Sequence, residues 1–538
     1  MNGLLSSIIL MVPLLVLLSG IYRRYSWSLV AAAAPPLLAS WWVTPGEILS
    51  VNWLLLGSFL GTNAITQWLL PASALIWTAV GVHHARAYKG EMDPSRFRLF
   101  FILAMSGNLL LLLAQDMLTF YVGFALMGLA GYGLVFRPGS TRARVAANIY
   151  LRWTIAGELL LFSGLLSLAQ QAGSTQLPLQ LPGQVSTITL LLLIAGFGIK
   201  IGMPGLHAWM PGAYSASSTA GSAVFSGAMA NAGILGLLQF MPLQGTPHTT
   251  IGTVLLAMGL LGAFYGILLG LPQRGPKVIL AYSSISQLST LAAMIGLAMI
   301  RPELAPALVV AITVYATHHG LTKAALFLAI DGLTDPKWRT IALSVLILLS
   351  LMLAGLPFTT GAISKGLIKE AVEETSWLVS LLTIATIATT LLMTRFIHVC
   401  LQRRTGPAAL ASGFGIGIAL SLIGAAHMSL YLAAPLPPVD LYTIWPLLVA
   451  MALALGFILL PQSAHKRLQP TIPKGDLPIL LARTLQRLIS HYSAEQVLQS
   501  LQRTFKQGIS PGPTANPKGA RETTGTPIPS KPDNRPAP

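Results

Sequence analysis

The sequence predicts an all-α, polytopic membrane protein, and three observations support that fold class. The chain of 538 residues is 54% hydrophobic and only 9% charged, whereas soluble domains carry about 25% charged residues. Apolar runs of about 18 to 25 residues, long enough to cross a bilayer as helices, recur along most of the chain. Basic residues concentrate in every second connection between these runs, as they do in multi-pass membrane proteins.

We predict about fourteen to fifteen transmembrane helices from these apolar runs. They lie near residues 4–22, 26–43, 64–84, 97–115, 118–136, 146–169, 187–203, 217–241, 250–271, 278–300, 304–330, 341–356, 377–400, 409–432 and 444–460. The first run lacks a basic segment before it, so we expect a retained span rather than a cleaved signal peptide. The segment ILSVNWLLLGSFLG, between Glu47 and Thr62, is too short to span and alternates weakly, which predicts an external hairpin.

The charge pattern orients the chain and limits its partners. Connections rich in Lys and Arg follow the odd-numbered spans, with exceptions at Arg301 and Lys365, so we place the N-terminus outside and the C-terminus in the cytoplasm of a bacterial inner membrane. The net charge of +17 then marks cytoplasmic loops and contact with anionic lipid rather than nucleic acid. A single cysteine, Cys400, excludes a disulfide framework or an iron-sulfur cluster held by this chain alone.

Two interrupted helices, each with one lysine, indicate a weak internal repeat, which is the echo between the two halves of the chain. Lys200 precedes a break at Gly202 and Pro204, and Lys365 follows a break at Gly355 and Pro357. Broken helices at membrane depth are tolerated where protein or water covers the freed backbone groups, and paired breaks are typical of transporters built from inverted repeats. The echo predicts an ion pathway.

Ionisable residues deep in the predicted spans are the candidates for that pathway. A buried charge in hydrocarbon needs a partner or a water path, and Lys and His can exchange protons near neutral pH, whereas Arg stays charged. The candidates are Lys200, Glu158, His318, His319, Lys323 and Lys365.

Each candidate has a plainer alternative. Lys200 would also fit a side chain that extends to the interface, and Glu158 would fit a salt bridge to Arg152 or to another basic group. The pair His318 and His319 would fit packing histidines or, with further ligands, a metal site; no such ligands are evident, so we expect no metal.

Nothing in the sequence indicates catalysis or a cofactor. It contains no Walker motif and no nucleophile elbow. The chain is at most the non-catalytic, ion-translocating subunit of an enzyme complex, and energy for uphill transport must come from a partner or from another ion gradient.

Four ordered motifs resemble the antiporter-like, proton-translocating membrane subunits of respiratory complex I, of hydrogenase-4 and formate hydrogenlyase, and of Mrp-type sodium/proton antiporters. They are KIGMPGLHAWMPGAYSASSTAGSAVFSGAMANAGILGL (200–237), LAYSSISQL (280–288), HHGLTKAALFL (318–328) and GLPFTTGAISKGLI (355–368). The stretch 226–237 looks most like the hydrogenase-4 type.

The resemblance implies about fourteen helices with two inverted five-helix repeats, each containing a broken helix, and a central file of Lys, His and Glu. It implies other membrane subunits as partners. The similarity covers roughly residues 98–404. With the span pattern and composition, it divides the chain into five regions: N-terminal transmembrane helices (1–96), an antiporter-like core (97–404), C-terminal transmembrane helices (405–461), a cytoplasmic amphipathic helix (462–507) and a disordered tail (508–538). The periodic leucines from Leu480 to Leu501 and the Pro- and Gly-rich tail agree with the last two.

The chain departs from the family pattern in its first half. Ala125 stands where the family has a glutamate that pairs with the lysine, and Phe225 or Asn231 replaces a His or Lys of a later helix. Glu158 lies near another acidic position of the family, so we expect it to modulate Lys200.

Our leading hypothesis is a subunit that moves H⁺ or Na⁺ in an NADH:quinone oxidoreductase, hydrogenase or Mrp-type complex. The alternatives are a proton-driven membrane subunit of an inorganic-carbon uptake pair and a scaffold subunit that has lost transport.

Overall fold

The computed structural model describes residues 1–55, 57–87, 94–177, 185–403, 412–431 and 441–459. Over these ranges the chain is helical apart from one short hairpin. The predicted amphipathic helix and the predicted disordered tail lie outside the described residues.

The helices follow one another along the whole described chain. Their bounds are α1 (Asn2–Leu18), α2 (Ser28–Ser40), α3 (Thr66–Ala87), α4 (Pro94–Leu113), α5 (Met117–Val135), α6 (Thr141–Ala172), α7 (Thr187–Ile201), α8 (Trp209–Ala216), α9 (Thr219–Val224), α10 (Asn231–Phe240), α11 (Thr249–Gly270), α12 (Pro276–Ile300), α13 (Ala305–Ala329), α14 (Arg339–Ala354), α15 (Thr360–Ala371), α16 (Ser376–Leu401), α17 (Ser412–Tyr431) and α18 (Leu441–Leu459). A π turn, Phe225–Met229, joins α9 to α10, and a 3₁₀ turn, Ile330–Thr334, follows α13.

Each predicted span contains a helix, which confirms the predicted fold class. Within the described ranges, eight helical stretches are long and apolar enough to cross a bilayer, and shorter apolar helices such as α1, α7 and α14 accompany them. The elements that the span prediction lacked are α8 and α15, which directly follow the two predicted breaks.

Polar caps fix several helix starts. Asp116 accepts a hydrogen bond from the Thr119 amide at the start of α5, and Ser140 accepts one from the Ala143 amide at the start of α6. Pro276 begins α12, where its missing N–H costs nothing because the first amides of a helix have no partner within it.

The predicted hairpin is present between α2 and α3. Strand β1 (Leu49–Val51) pairs antiparallel with β2 (Ser58–Leu60), with Leu49 opposite Leu60. The Phe59 amide donates to the Asp116 carboxylate at 2.9 Å, so the hairpin is bonded to the turn between α4 and α5.

Helices α12 and α13 form the centre of the bundle. Protein covers the whole apolar length of α12. Small residues let α11 lie directly against it: a Cβ added at Gly259 would lie 2.5 Å from the Ala293 nitrogen, and one at Gly252 would lie 2.8 Å from the Gly296 oxygen. Close backbone approach through small residues is the usual mode of packing between membrane helices. Helix α13 packs against α3, α9, α12, α14, α15 and α17.

Candidate ion pathway

The two helix breaks have the same backbone design. Helix α7 ends at Gly202 (φ +73°), whose amide donates to the carbonyls of Gly198 and Ile199, while the Met203 amide donates to Gly198. Helix α14 ends at Gly355 (φ +104°) with the same bonds at the corresponding positions. The Gly355 amide donates to the carbonyls of Leu351 and Met352, and the Leu356 amide donates to that of Leu351. This bonding closes a helix end and favours glycine, because residues that carry a side chain rarely adopt a positive φ.

Lys200 lies on the last turn of α7, buried with only 7% of its surface exposed. Its Nζ stands 4.9 Å from the centre of the Phe124 ring, a distance at which a cation is attracted to the ring face. A lysine that extended to the interface would expose its amine, so burial disfavours that alternative.

Glu158 of α6 faces the same spot. A Cβ added at Gly128 of α5 would lie 2.6 Å from Glu158 Oε1 and 3.6 Å from Lys200 Nζ, so both groups flank one point. They line a cavity of about 10 Å³, roughly the size of one water molecule. Within the described ranges, Glu158 Oε2 has no hydrogen-bond partner, and the exposed Arg152 forms no ion pair with Glu158.

Aromatic rings lie between this cavity and the centre of the bundle. Tyr150 and Trp209 line the cavity, and the Tyr150 ring stands 5.3 Å from Phe225. Tyr214 continues the contact, 6.0 Å from Phe225 and 5.7 Å from Phe327 of α13. We call these five residues the aromatic wall. Phe225 is one of the two positions at which the family resemblance led us to expect a His or Lys.

The central cations lie on α13, fully covered by protein. Lys323 Nζ donates to the Leu280 carbonyl at 2.9 Å. His319, one turn earlier on the same face, donates from Nδ1 to Gln287 Oε1 of α12 at 2.7 Å. Its Nε2 has no partner in the part of the chain that the structure describes, so the ring retains a free nitrogen.

Lys365 approaches the same centre from the other side. Its Nζ donates, at 2.8 Å, to the carbonyl of Ala354, which is the last residue of α14. It lines a cavity of about 30 Å³ together with Gln287, Tyr315 and Lys369, enough for at least one water molecule. Gln287 therefore touches both His319 and the space beside Lys365.

His318 points towards the second break. Its Nδ1 shares a hydrogen bond with the Thr360 hydroxyl at the start of α15, 2.8 Å away. A Cβ added at Gly361 would lie 3.2 Å from His318 Nε2, so the ring packs directly on the backbone of that helix.

The structure thus brings four predicted residues together, His318, His319, Lys323 and Lys365, and separates them from Lys200 and Glu158 by the aromatic wall. Gln287 is the residue that the sequence analysis missed, because only ionisable side chains were sought; its place in the LAYSSISQL motif was the available signal. Among the described residues, no three His, Cys, Asp or Glu side chains converge as a metal site would require.

Comparison with known proteins places these features in a family. Residues 114–392 match the family described as "NADH:quinone oxidoreductase/Mrp antiporter, TM". The chain is 31% identical over 212 residues to NADH-quinone oxidoreductase subunit N of Desulfitobacterium hafniense, an alignment that covers 38% of this chain and 42% of the relative. It is 27% identical over 258 residues to hydrogenase-4 component B of Escherichia coli, an alignment that covers 46% of this chain and 38% of the relative. The chain therefore spans less than half of the length of either relative.

A solved structure shows the same fold. The Mrp complex from Dietzia sp. superposes with a TM-score of 0.73 at 18% identity, covering 96% of this chain and 64% of the matched one. The two-break architecture, the ordered motifs and a family match over more than half of the sequence agree. The chain belongs to the NADH:quinone oxidoreductase/Mrp antiporter transmembrane family.

Proposed function

We propose that this chain is the proton-translocating, antiporter-like subunit of a multisubunit membrane complex of the NADH:quinone oxidoreductase, hydrogenase or Mrp type. Family membership supports the general role. One observation supports the pathway: Gln287 accepts a hydrogen bond from His319 and also lines the cavity that holds Lys365.

The proposed route runs from Lys323 to Lys365. Lys323 exchanges a proton with His319 one turn away, His319 passes it to water in the Gln287 cavity, and Lys365 receives it. An amine and an imidazole can each gain and lose a proton near neutral pH. Gln287 holds the imidazole in the tautomer whose free Nε2 can accept that proton.

Lys200 and Glu158 have a different part in this proposal. Among the described residues, no hydrogen bond joins Lys200 or Glu158 to α13, so they act on the file through their charges, which interact strongly across a dry interior. A proton that moves between Glu158 and Lys200 changes the field at Lys323 without itself travelling on.

The complex supplies the driving energy. The sequence contains no motif for hydride transfer or hydrolysis, so neighbouring subunits drive the ion. We place the chain in a bacterial inner membrane, in contact with anionic lipid, with its N-terminus outside.

The test is ion flux in proteoliposomes that contain the native complex. With an imposed ion gradient, we expect Lys323→Gln and Gln287→Leu each to reduce flux by about tenfold or more, since a positioned proton-transfer group contributes on the order of 10²–10⁴ in rate. Lys337→Gln, on the exposed loop after α13, is the control. Wild-type flux in Lys323→Gln would contradict the proposal, and replacement of Na⁺ by choline distinguishes Na⁺ from H⁺.

A second candidate is a scaffold subunit without transport. Ala125 and the aromatic wall favour it, because the first half lacks a connected path. A native complex that assembles, catalyses and moves ions at wild-type rates with Lys323→Gln would select it. Identification of the subunits that co-purify would also reveal a zinc-dependent partner of an inorganic-carbon uptake pair.

A further inference from the structure

We propose that Asp331 and His83 form the site at which protons enter or leave the central file on the face of the bundle that carries the basic connections. This inference deepens the proposed function and rests on it. Neither residue belongs to the pathway that the sequence predicts.

The two side chains make a surface-to-interior pair. His83 Nε2 of α3 lies 3.1 Å from Asp331 Oδ2, in the turn after α13. The Asp331 side chain is 27% exposed, whereas that of His83 is 1% exposed. The same carboxylate oxygen accepts a hydrogen bond from the Thr219 hydroxyl. A carboxylate that reaches water therefore touches a buried imidazole whose Nδ1 has no partner in the described chain.

The surroundings of the pair are strongly basic. Lys277 of α12 donates to the Ser217 carbonyl at 2.9 Å. Arg137, Arg142 and Arg403 act on Lys277 with like charge, and Asp331 acts on it with opposite charge. His84 of α3 lies next to His83 and also feels the charge of Arg98 of α4. Among these basic side chains, Asp331 is the acid that faces His83, Thr219 and Lys277.

A row of hydroxyl groups leads from Asp331 towards Lys323. Thr219 and Ser222 lie on α9, and Ser226 lies in the π turn that follows it. The Ser222 hydroxyl bonds to the carbonyls of Tyr214 and Ser218. Ser226 shares a hydrogen bond with Ser284 of α12 at 2.9 Å. Ser284 donates to the Leu280 carbonyl at 3.1 Å.

That carbonyl is also the acceptor for Lys323 Nζ. Asp331 and Lys323 are eight residues apart, about 12 Å along a helix axis. Hydroxyl groups both donate and accept, so the row can pass a proton with water molecules between its members. The Leu280 carbonyl only accepts, so the last transfer, from Ser284 to Lys323, also runs through water.

The step is a balanced proton transfer. Asp331 takes a proton from hydronium at the surface, leaving water. It passes the proton to the hydroxyl row and returns to a carboxylate, and the Lys323 amine at the inner end becomes an ammonium. His83 holds the carboxylate in place.

The experiment measures flux against pH in proteoliposomes of the native complex, with flux normalised to assembled complex. Asp331→Asn removes the acid, and Asp335→Asn is the matched control, a half-buried aspartate directly after the same turn. We expect Asp331→Asn to reduce flux about tenfold or more at alkaline pH. The difference should shrink at mildly acidic pH, because protons that enter directly from bulk water, without the acid, are more abundant there. Asp331→Glu should restore most of the flux.

Three outcomes decide the question. An equal loss in Asp331→Asn at every pH, without rescue by Asp331→Glu, would show a structural tie between α3 and α13 and overturn the inference. Flux equal to that of Asp335→Asn, while Lys323→Gln still blocks transport, would overturn it too and leave the proposed function standing. Normal flux in Lys323→Gln would instead remove the proposed function.

Discussion

At the scale of single residues, the buried cations are the feature that the sequence predicts best. Lys323 is fully buried, and among the described residues its Nζ binds one backbone carbonyl and no carboxylate. Burying an ionisable group in an apolar span costs free energy, so such residues are rare there and stand out in the sequence. Gln287, by contrast, is uncharged, and His83 lies near the end of its predicted span, so their roles follow only from contacts across helices.

Glu158 carries the sharpest prediction at this scale. We expect Glu158→Gln to abolish flux, because Lys200 then has no carboxylate beside the small cavity that both residues line. Flux in reconstituted vesicles measures this, and unchanged flux would remove Glu158 from the pathway.

A double variant separates charge balance from proton exchange. Removing one of two opposite buried charges destabilises a protein, whereas removing both is often tolerated. Glu158→Gln combined with Lys200→Gln should therefore recover the thermal stability lost in either single variant, but not the flux. Recovery of flux as well would mean that the two groups only balance each other.

At the scale of elements, the breaks were predictable and the pieces beyond them were not. Glycine followed by proline marks where α7 and α14 end, whereas α8 and α15 depend on contacts with distant helices. The π turn at Phe225–Met229 was also missed. A Cβ added at Gly227 would lie 2.8 Å from the Gly320 carbonyl, so the turn brings its backbone directly against α13, a constraint that no local pattern reveals.

The second break is testable with two glycines of opposite behaviour. Gly355→Ala forces a side chain into positive φ and brings its Cβ 3.2 Å from Lys365 Cδ. We expect a loss of about 1–2 kcal/mol in stability together with reduced flux, because Lys365 must shift.

Gly366→Ala is the matched control on α15. Within the described ranges, no heavy atom beyond its own stretch of helix lies within 4 Å of its added Cβ, and alanine favours a helix over glycine by about 1 kcal/mol. Its stability should hold or rise with flux unchanged, as thermal unfolding and vesicle assays would measure. Equal effects of the two variants would argue against a special role for the Gly355 conformation.

At the scale of the whole molecule, the alternation of basic connections predicts which loops share a face. The proposal places residue 138, after α5, in the cytoplasm and residue 244, between α10 and α11, outside. In a Cys400→Ser background, a maleimide that cannot cross membranes should label Gln244→Cys but not Pro138→Cys in intact cells. The reverse labelling would invert the proposed orientation.

The contact between α11 and α12 determines which parts can move. Where two backbones are in contact at glycines, one helix cannot slide while its neighbour stays in place. The pair therefore behaves as one rigid unit that carries Gln287. A helix rearrangement that makes or breaks the link from Gln287 to His319 then displaces α13 relative to the α11–α12 pair as a unit.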